Sequence, residues 1–98
     1  MPLVAWTPRS REDLQDIRNF IRFYSPLNAE RFIRKLMAST SRLRKHPLLG
    51  EVVHELREND VREILFGNYR IIYRVKTNRV DILRVYHSAR LLDEGILD

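Results

Sequence analysis

Apolar residues recur along this chain with two different periods, and the change from one to the other divides it. Leu3 to Trp6 is a short apolar run that stops at Thr7-Pro8, which predicts an opening strand. Thr7 can cap a helix whose first position is Pro8, where the missing N–H would have had no intrahelical partner anyway. From there Leu14, Ile17, Phe20, Ile21 and Tyr24 return at helical spacing and predict one stripe of a helix that ends at Ser25-Pro26. A second helix follows, capped by Ser25 or Asn28. Its apolar positions are Ala29, Phe32, Ile33, Leu36, Met37, Thr40 and Leu43, and it ends by His46-Pro47 with Gly50 beyond. Two amphipathic helices with so short a break read as a helical hairpin, whose stripes must bury against something.

After Gly50 the period shortens to two. Phe66 and Tyr69 are separated by Gly67-Asn68 alone, a two-residue loop with glycine first, as a type II′ hairpin turn requires. Beyond the turn Tyr69, Ile71, Tyr73 and Val75 fall on one strand face, and Arg70, Ile72, Arg74 and Lys76 on the other. A third run, Val80 to Tyr86, leads to His87, with Arg90 three residues on. The expected architecture is therefore α+β, ordered β-α-α-β-β-β: a small antiparallel sheet with the helical hairpin on one face and the other face partly open. A chain of 98 residues makes one such domain, spanning residues 1–98.

Composition narrows the chemistry. The absence of cysteine excludes disulfides and thiolate chemistry. His46, His54 and His87 share no close ligand spacing, so neither a metal nor another cofactor is expected. The opening MPLVAWTPRS lacks a basic region followed by a long apolar core, and no apolar run is long enough to span a bilayer; a cytoplasmic protein without membrane contact is expected. The net charge is +5, with a pI near 10.1, which favours a polyanion or an acidic protein as partner. Charges on the two helices read as a solvated face with local ion pairs.

The strand charges are more pointed. If the late strands pair in sequence order, Arg70 lies on the middle one, between the strands of Arg62 and His87, with Glu55 just before them. An arginine fork holds phosphate or carboxylate, a histidine at a strand end can pass a proton, and a carboxylate opposite can act as base.

The segments HPLLGEVVHEL, VREILFGNYRIIYRV and VDILRVYHSAR, following two helices, resemble the RelE/ParE superfamily of bacterial toxin–antitoxin toxins. The resemblance covers nearly the whole chain and implies a toxin neutralised by a cognate antitoxin, in a possible hetero-oligomer. Its branches imply different activities. RelE- and YoeB-like toxins cut mRNA on the ribosome, and on that pattern Glu55 would be the base, Arg70 the stabiliser of charge on phosphorus and His87 the acid. Against it, no lysine lies between Lys45 and Lys76, and eleven residues follow His87. The ending VYHSARLLDEG resembles the ParE branch, which implies inhibition of DNA gyrase with no hydrolytic site. Arg62, Arg74 and Arg90 are candidate phosphate or target contacts, and Leu91, Leu92, Ile96 and Leu97 a turn that covers a sheet edge. A non-toxic nucleic-acid-binding or adaptor module shares the charge but has no need of the Glu55, Arg70 and His87 grouping.

Overall fold

The computed structural model describes residues 2–56, 58–89 and 94–97. Strand β1 (Leu3–Trp6) leads into α1 (Pro8–Tyr24) and α2 (Pro26–Ser39), the latter continued by a 3-10 segment at Thr40–Arg44. A two-residue strand β2 (Glu51–Val52) and a 3-10 turn at His54–Leu56 precede β3 (Val61–Phe66), β4 (Tyr69–Val75) and β5 (Arg79–His87). A last 3-10 turn covers Glu94–Leu97. Among the described residues no helix is long and apolar enough to cross a membrane.

Local chemistry sets the boundaries. The Thr7 hydroxyl accepts from the Ser10 N–H and donates to the Ile82 carbonyl at 2.8 Å, so one side chain starts α1 and pins it to β5. Ser25 serves both helices: its N–H closes α1 on the Ile21 carbonyl, and its hydroxyl accepts from the Asn28 N–H. At the β3–β4 turn Gly67 has φ of 57°, the positive value that its position demands.

The sheet order is β1-β5-β4-β3-β2. Strands β3 to β5 pair antiparallel in sequence order, as expected, with Arg70 on the middle one; the two-residue β2, which the β-α-α-β-β-β order did not include, adds antiparallel to β3. The expectation of a wholly antiparallel sheet is corrected: β1 runs parallel to β5, from Leu3 opposite Arg79 to Trp6 opposite Ile82, and the sheet is mixed. Hairpin partners leave one edge of β5 open, and the chain entering α1 closes it; a parallel pair tolerates the long intervening chain that a tight turn cannot.

The helix-facing core comprises Leu14, Ile17, Ile33, Leu36 and Leu43 against Ile64, Ile71, Tyr73, Val80, Ile82 and Val85. A second cluster of Val53, Leu56, Val61, Ile72 and Tyr86, joined by Leu83 and Leu97, covers part of the outer face. A bulge explains why Ile82 and Val85, three apart, share the helix side: Tyr73 pairs with Ile82 and Ile72 with Arg84, leaving Leu83 as the extra residue. The α1 stripe is shorter than its periodicity predicts. Phe20 and Tyr24 stand exposed with Phe23 and Leu27 at the far end of the hairpin, where their rings meet edge to face (Phe20–Tyr24 5.6 Å, Phe23–Tyr24 5.3 Å), because the core reaches only to Ile21.

Candidate functional site

Arg70 stands on the outer face of the sheet, directly across from Tyr86 on β5 and Leu65 on β3. Its guanidinium is held between two carboxylates. Nε donates to Glu63 Oε2 at 2.5 Å, while Nη1 and Nη2 reach the two oxygens of Glu55 at 3.1 and 3.4 Å. Glu63 comes from the neighbouring strand β3. Glu55 is delivered by the 3-10 turn at His54–Leu56, which is anchored because Val53 and Leu56 on either side are buried in the second cluster.

The electrostatics follow from this arrangement. Burial works against the Arg70 charge, but hydrogen bonds to Glu55 and Glu63 outweigh it, and the guanidinium pKa is raised. The Arg70 hydrogen bond holds the Glu55 carboxyl below its ordinary value. A depressed carboxyl contributes stability at neutral pH, and this is lost as pH falls through its lowered value. Glu55 is substantially exposed, so the contribution is small. The acid limb of a denaturation curve should be shallower for Glu55→Gln than for the unchanged chain, as measured by circular dichroism between neutral and acid pH. One cation between two carboxylates leaves this cluster with a net charge of −1, and the arginine fork is already occupied by carboxylate.

His87 does not join the cluster. It lies opposite Tyr69, one residue from Arg70, so strand alternation turns it to the helix side of the sheet. Its ring meets Tyr69 edge to face at 5.4 Å; Tyr69 in turn meets Phe32 of α2 at 5.6 Å. Its Nδ1 accepts from the Ala89 N–H at 3.2 Å, which caps the end of β5. Glu55 and Arg70 are thus brought together and His87 is on the other face.

The arginines expected as phosphate contacts have other partners. Arg62 donates to the Gly50 carbonyl at 2.7 Å and to that of Leu48, holding the loop before β2. Arg74 pairs with Glu58 at 3.2 Å and Asp60 at 3.3 Å. Arg90 lies outside the described residues, as do Leu91, Leu92 and the Ile96 side chain; Leu97 packs on the outer cluster rather than on a sheet edge.

One polar group went unforeseen. Asp13 of α1 accepts from Arg84 Nε at 2.8 Å and Nη2 at 3.0 Å, and from the Val85 N–H at 2.9 Å. The guanidinium carbon also sits 4.5 Å from the Tyr86 ring centroid. Beyond Ile82 the outer edge of β5 has no strand partner in β1, and Asp13 supplies the missing acceptor. The signal in the sequence was an arginine inside the apolar run Val80 to Tyr86, which calls for a buried counter-charge.

Known proteins resemble this chain in sequence and in fold. Residues 4–92 match the family described as ParE toxin of type II toxin-antitoxin system, parDE. A curated relative, Toxin RelE2 of Caulobacter vibrioides, is 36% identical over 92 residues, covering 93% of this chain and all of that protein. Among solved structures, the chromosomal ParDE toxin–antitoxin system from P. aeruginosa superposes with a TM-score of 0.75 at 20% identity, covering 89% of this chain and 96% of the other. The RelBE2 toxin–antitoxin complex from Mycobacterium tuberculosis gives a TM-score of 0.58 at 27% identity, covering 89% and 99%. With the family matched across nearly the whole length and the fold shared, this chain belongs to the ParE toxin family of type II toxin–antitoxin systems, within the RelE/ParE superfamily.

Proposed function

We propose that this toxin arrests growth by inhibiting DNA gyrase and carries out no hydrolysis of its own. The observation that supports this reading is the separation of the would-be catalytic residues. In-line cleavage of RNA needs a base and an acid on either side of one phosphate, with a cation free to take up charge on phosphorus. Here Arg70 is held by Glu55 and Glu63, and His87 is on the opposite face. The alternative, a ribosome-dependent mRNA endonuclease, draws on the adjacency of Glu55 and Arg70 and on the RelE2 name of the Caulobacter relative.

We infer too that the partner is a cognate antitoxin, since both superposed structures come from toxin–antitoxin systems. The exposed Phe20, Phe23, Tyr24 and Leu27 offer it an apolar anchor beside the two helices.

The test is a pair of assays on purified protein. Supercoiling by gyrase should be inhibited by the unchanged chain, and by Glu55→Gln and His87→Gln within about threefold of it. A group in direct proton transfer is worth roughly 10²–10⁴-fold in rate, so the nuclease reading requires both substitutions to abolish cleavage. Cutting of ribosome-bound message by the unchanged protein, lost in both variants, would overturn the gyrase reading.

A further inference from the structure

The positive charge of this protein is concentrated in one segment. Residues 31–50 contain Arg31, Arg34, Lys35, Arg42, Arg44 and Lys45 and no Asp or Glu, for a net charge of +6. The other 78 residues hold twelve Lys or Arg and 13 Asp or Glu, a net charge of −1. The whole excess of the chain therefore belongs to α2, its 3-10 continuation and the loop that follows.

All six cations are exposed. The buried residues of the same segment, Ile33, Leu36, Thr40 and Leu43, face the core, so helical periodicity places Arg31, Arg34 and Lys35 on the opposite side, while in the 3-10 continuation Arg42 and Arg44 stand on the two flanks, Arg44 beside Leu3, Val4 and Trp6 of β1. None of the six pairs with a carboxylate among the described residues, in contrast to Arg70, Arg74 and Arg84 on the sheet. Arg42 donates to the Ser39 carbonyl and shares a cavity wall with Glu51 and Glu63 without pairing with either. At a rise of about 1.5 Å per α-helical residue and about 2.0 Å per 3-10 residue, Arg31 to Lys45 spans roughly 20–25 Å. Between the cations lie the small side chains Ala38 and Ser41, which offer an amphipathic acidic helix no groove to enter.

We propose that this face binds the phosphate backbone of duplex DNA. Duplex DNA carries about one negative charge per 1.7 Å of axis, so a stripe of this length meets enough phosphates to engage each cation. A major groove about 12 Å wide also admits a helix with cations along both flanks, whereas the narrow major groove of an RNA duplex does not. The inference is independent of the toxin's enzymatic target: it concerns the chain itself, and fails or stands whether or not gyrase is inhibited.

The test measures binding of the purified toxin to a fluorescent mixed-sequence DNA duplex of about 20 base pairs by anisotropy, from 50 to 300 mM salt. Non-specific duplex binding has a Kd of about 10⁻⁴–10⁻⁶ M at physiological salt, and six phosphate contacts give a log–log salt slope of roughly −5. The triple variant Arg31→Ala, Arg34→Ala, Lys35→Ala should bind at least about tenfold more weakly, with a slope shallower by roughly 2.7. The milder pair Lys35→Gln, Lys45→Gln should lower the slope by roughly 1.8 and keeps the question open to measurement if the triple variant fails to fold. The double variant Arg9→Ala, Arg22→Ala removes cations that sit beside Glu12 and Glu30 and should leave the slope unchanged. Absence of binding at 50 mM salt, or equal loss in the control variant, would overturn the proposal. So would tighter binding to an RNA duplex, or displacement of the DNA by polyglutamate at equal charge, which would assign the face to RNA or to an acidic polypeptide.

Discussion

Replacing Asp13 by alanine should destabilise the protein by about 3 kcal/mol, because it removes the carboxylate paired with a nearly buried arginine. The side chains of Arg84 and Asp13 are only 10% and 12% exposed. The carboxylate neutralises the guanidinium through two hydrogen bonds and accepts a third from the Val85 N–H, so its loss removes the counter-charge of a nearly buried cation and the acceptor of a backbone donor together. For a domain of this size the melting temperature should fall by about 12–24 °C. The double variant Asp13→Ala, Arg84→Met should recover much of the loss, since a buried pair replaced by apolar groups is often near neutral whereas half a pair is not. Urea unfolding of the two single variants and the double variant measures this directly. A change below about 0.5 kcal/mol in Asp13→Ala would show that water reaches Arg84 and that the pair is no tie between helix and sheet.

Gly50→Ala should be the second most damaging substitution, for a reason unconnected with charge. A Cβ at residue 50 would lie 2.3 Å from the Glu63 carbonyl oxygen and 2.7 Å from the Tyr73 hydroxyl, and the first of these is backbone that cannot rotate away. The surrounding loop is held by polar bonds at every point: the Gly50 N–H donates to the Tyr73 hydroxyl at 2.8 Å, and that hydroxyl donates to the Pro47 carbonyl at 2.8 Å. Overpacking of this kind costs about 1–3 kcal/mol, and displacement of Glu63 would also loosen its grip on Arg70. Tyr73→Phe isolates the polar part. It keeps the ring but removes the hydroxyl from a loop N–H and a carbonyl, so a loss of about 1–3 kcal/mol is expected. Thermal melts that place Gly50→Ala within experimental error of the unchanged protein would mean that β2 can shift away from β3 at no cost.

Much of this fold was legible because it rests on local rules. Thr7 and Ser25 announce their helices by capping chemistry, Gly67 announces its turn by the sign of φ, and alternation assigns Ile71 and Tyr73 to the core face. What escaped the sequence depends on contacts between distant segments. Nothing in Leu3 to Trp6 says which strand edge is free, so the parallel pairing with β5 had to be seen. The extra residue at Leu83 shifts the side-chain alternation along β5, and no propensity marks it. At the candidate site, the meeting of Glu55 with Arg70 followed from their neighbouring positions, but Glu63 as a second carboxylate on the same arginine did not. Asp13 reads as one more surface charge until its helix is laid against Arg84.

The register of β1 has a consequence for how the molecule comes into being on a ribosome. Leu3 bonds next to Arg79, and Thr7 closes on Ile82, so the first strand has no partner until the last has been made. At synthesis rates of about 5–20 residues per second, roughly 4–15 s separate the emergence of the two segments. From the time residues 8–44 have been made until β3 to β5 follow, the apolar stripe of the helical segment has no sheet to cover and is open to any chaperone or early-binding protein nearby. The growing chain then carries an uncovered apolar helical stripe, and the five-stranded sheet comes into existence only once β5 has joined β1 to β4.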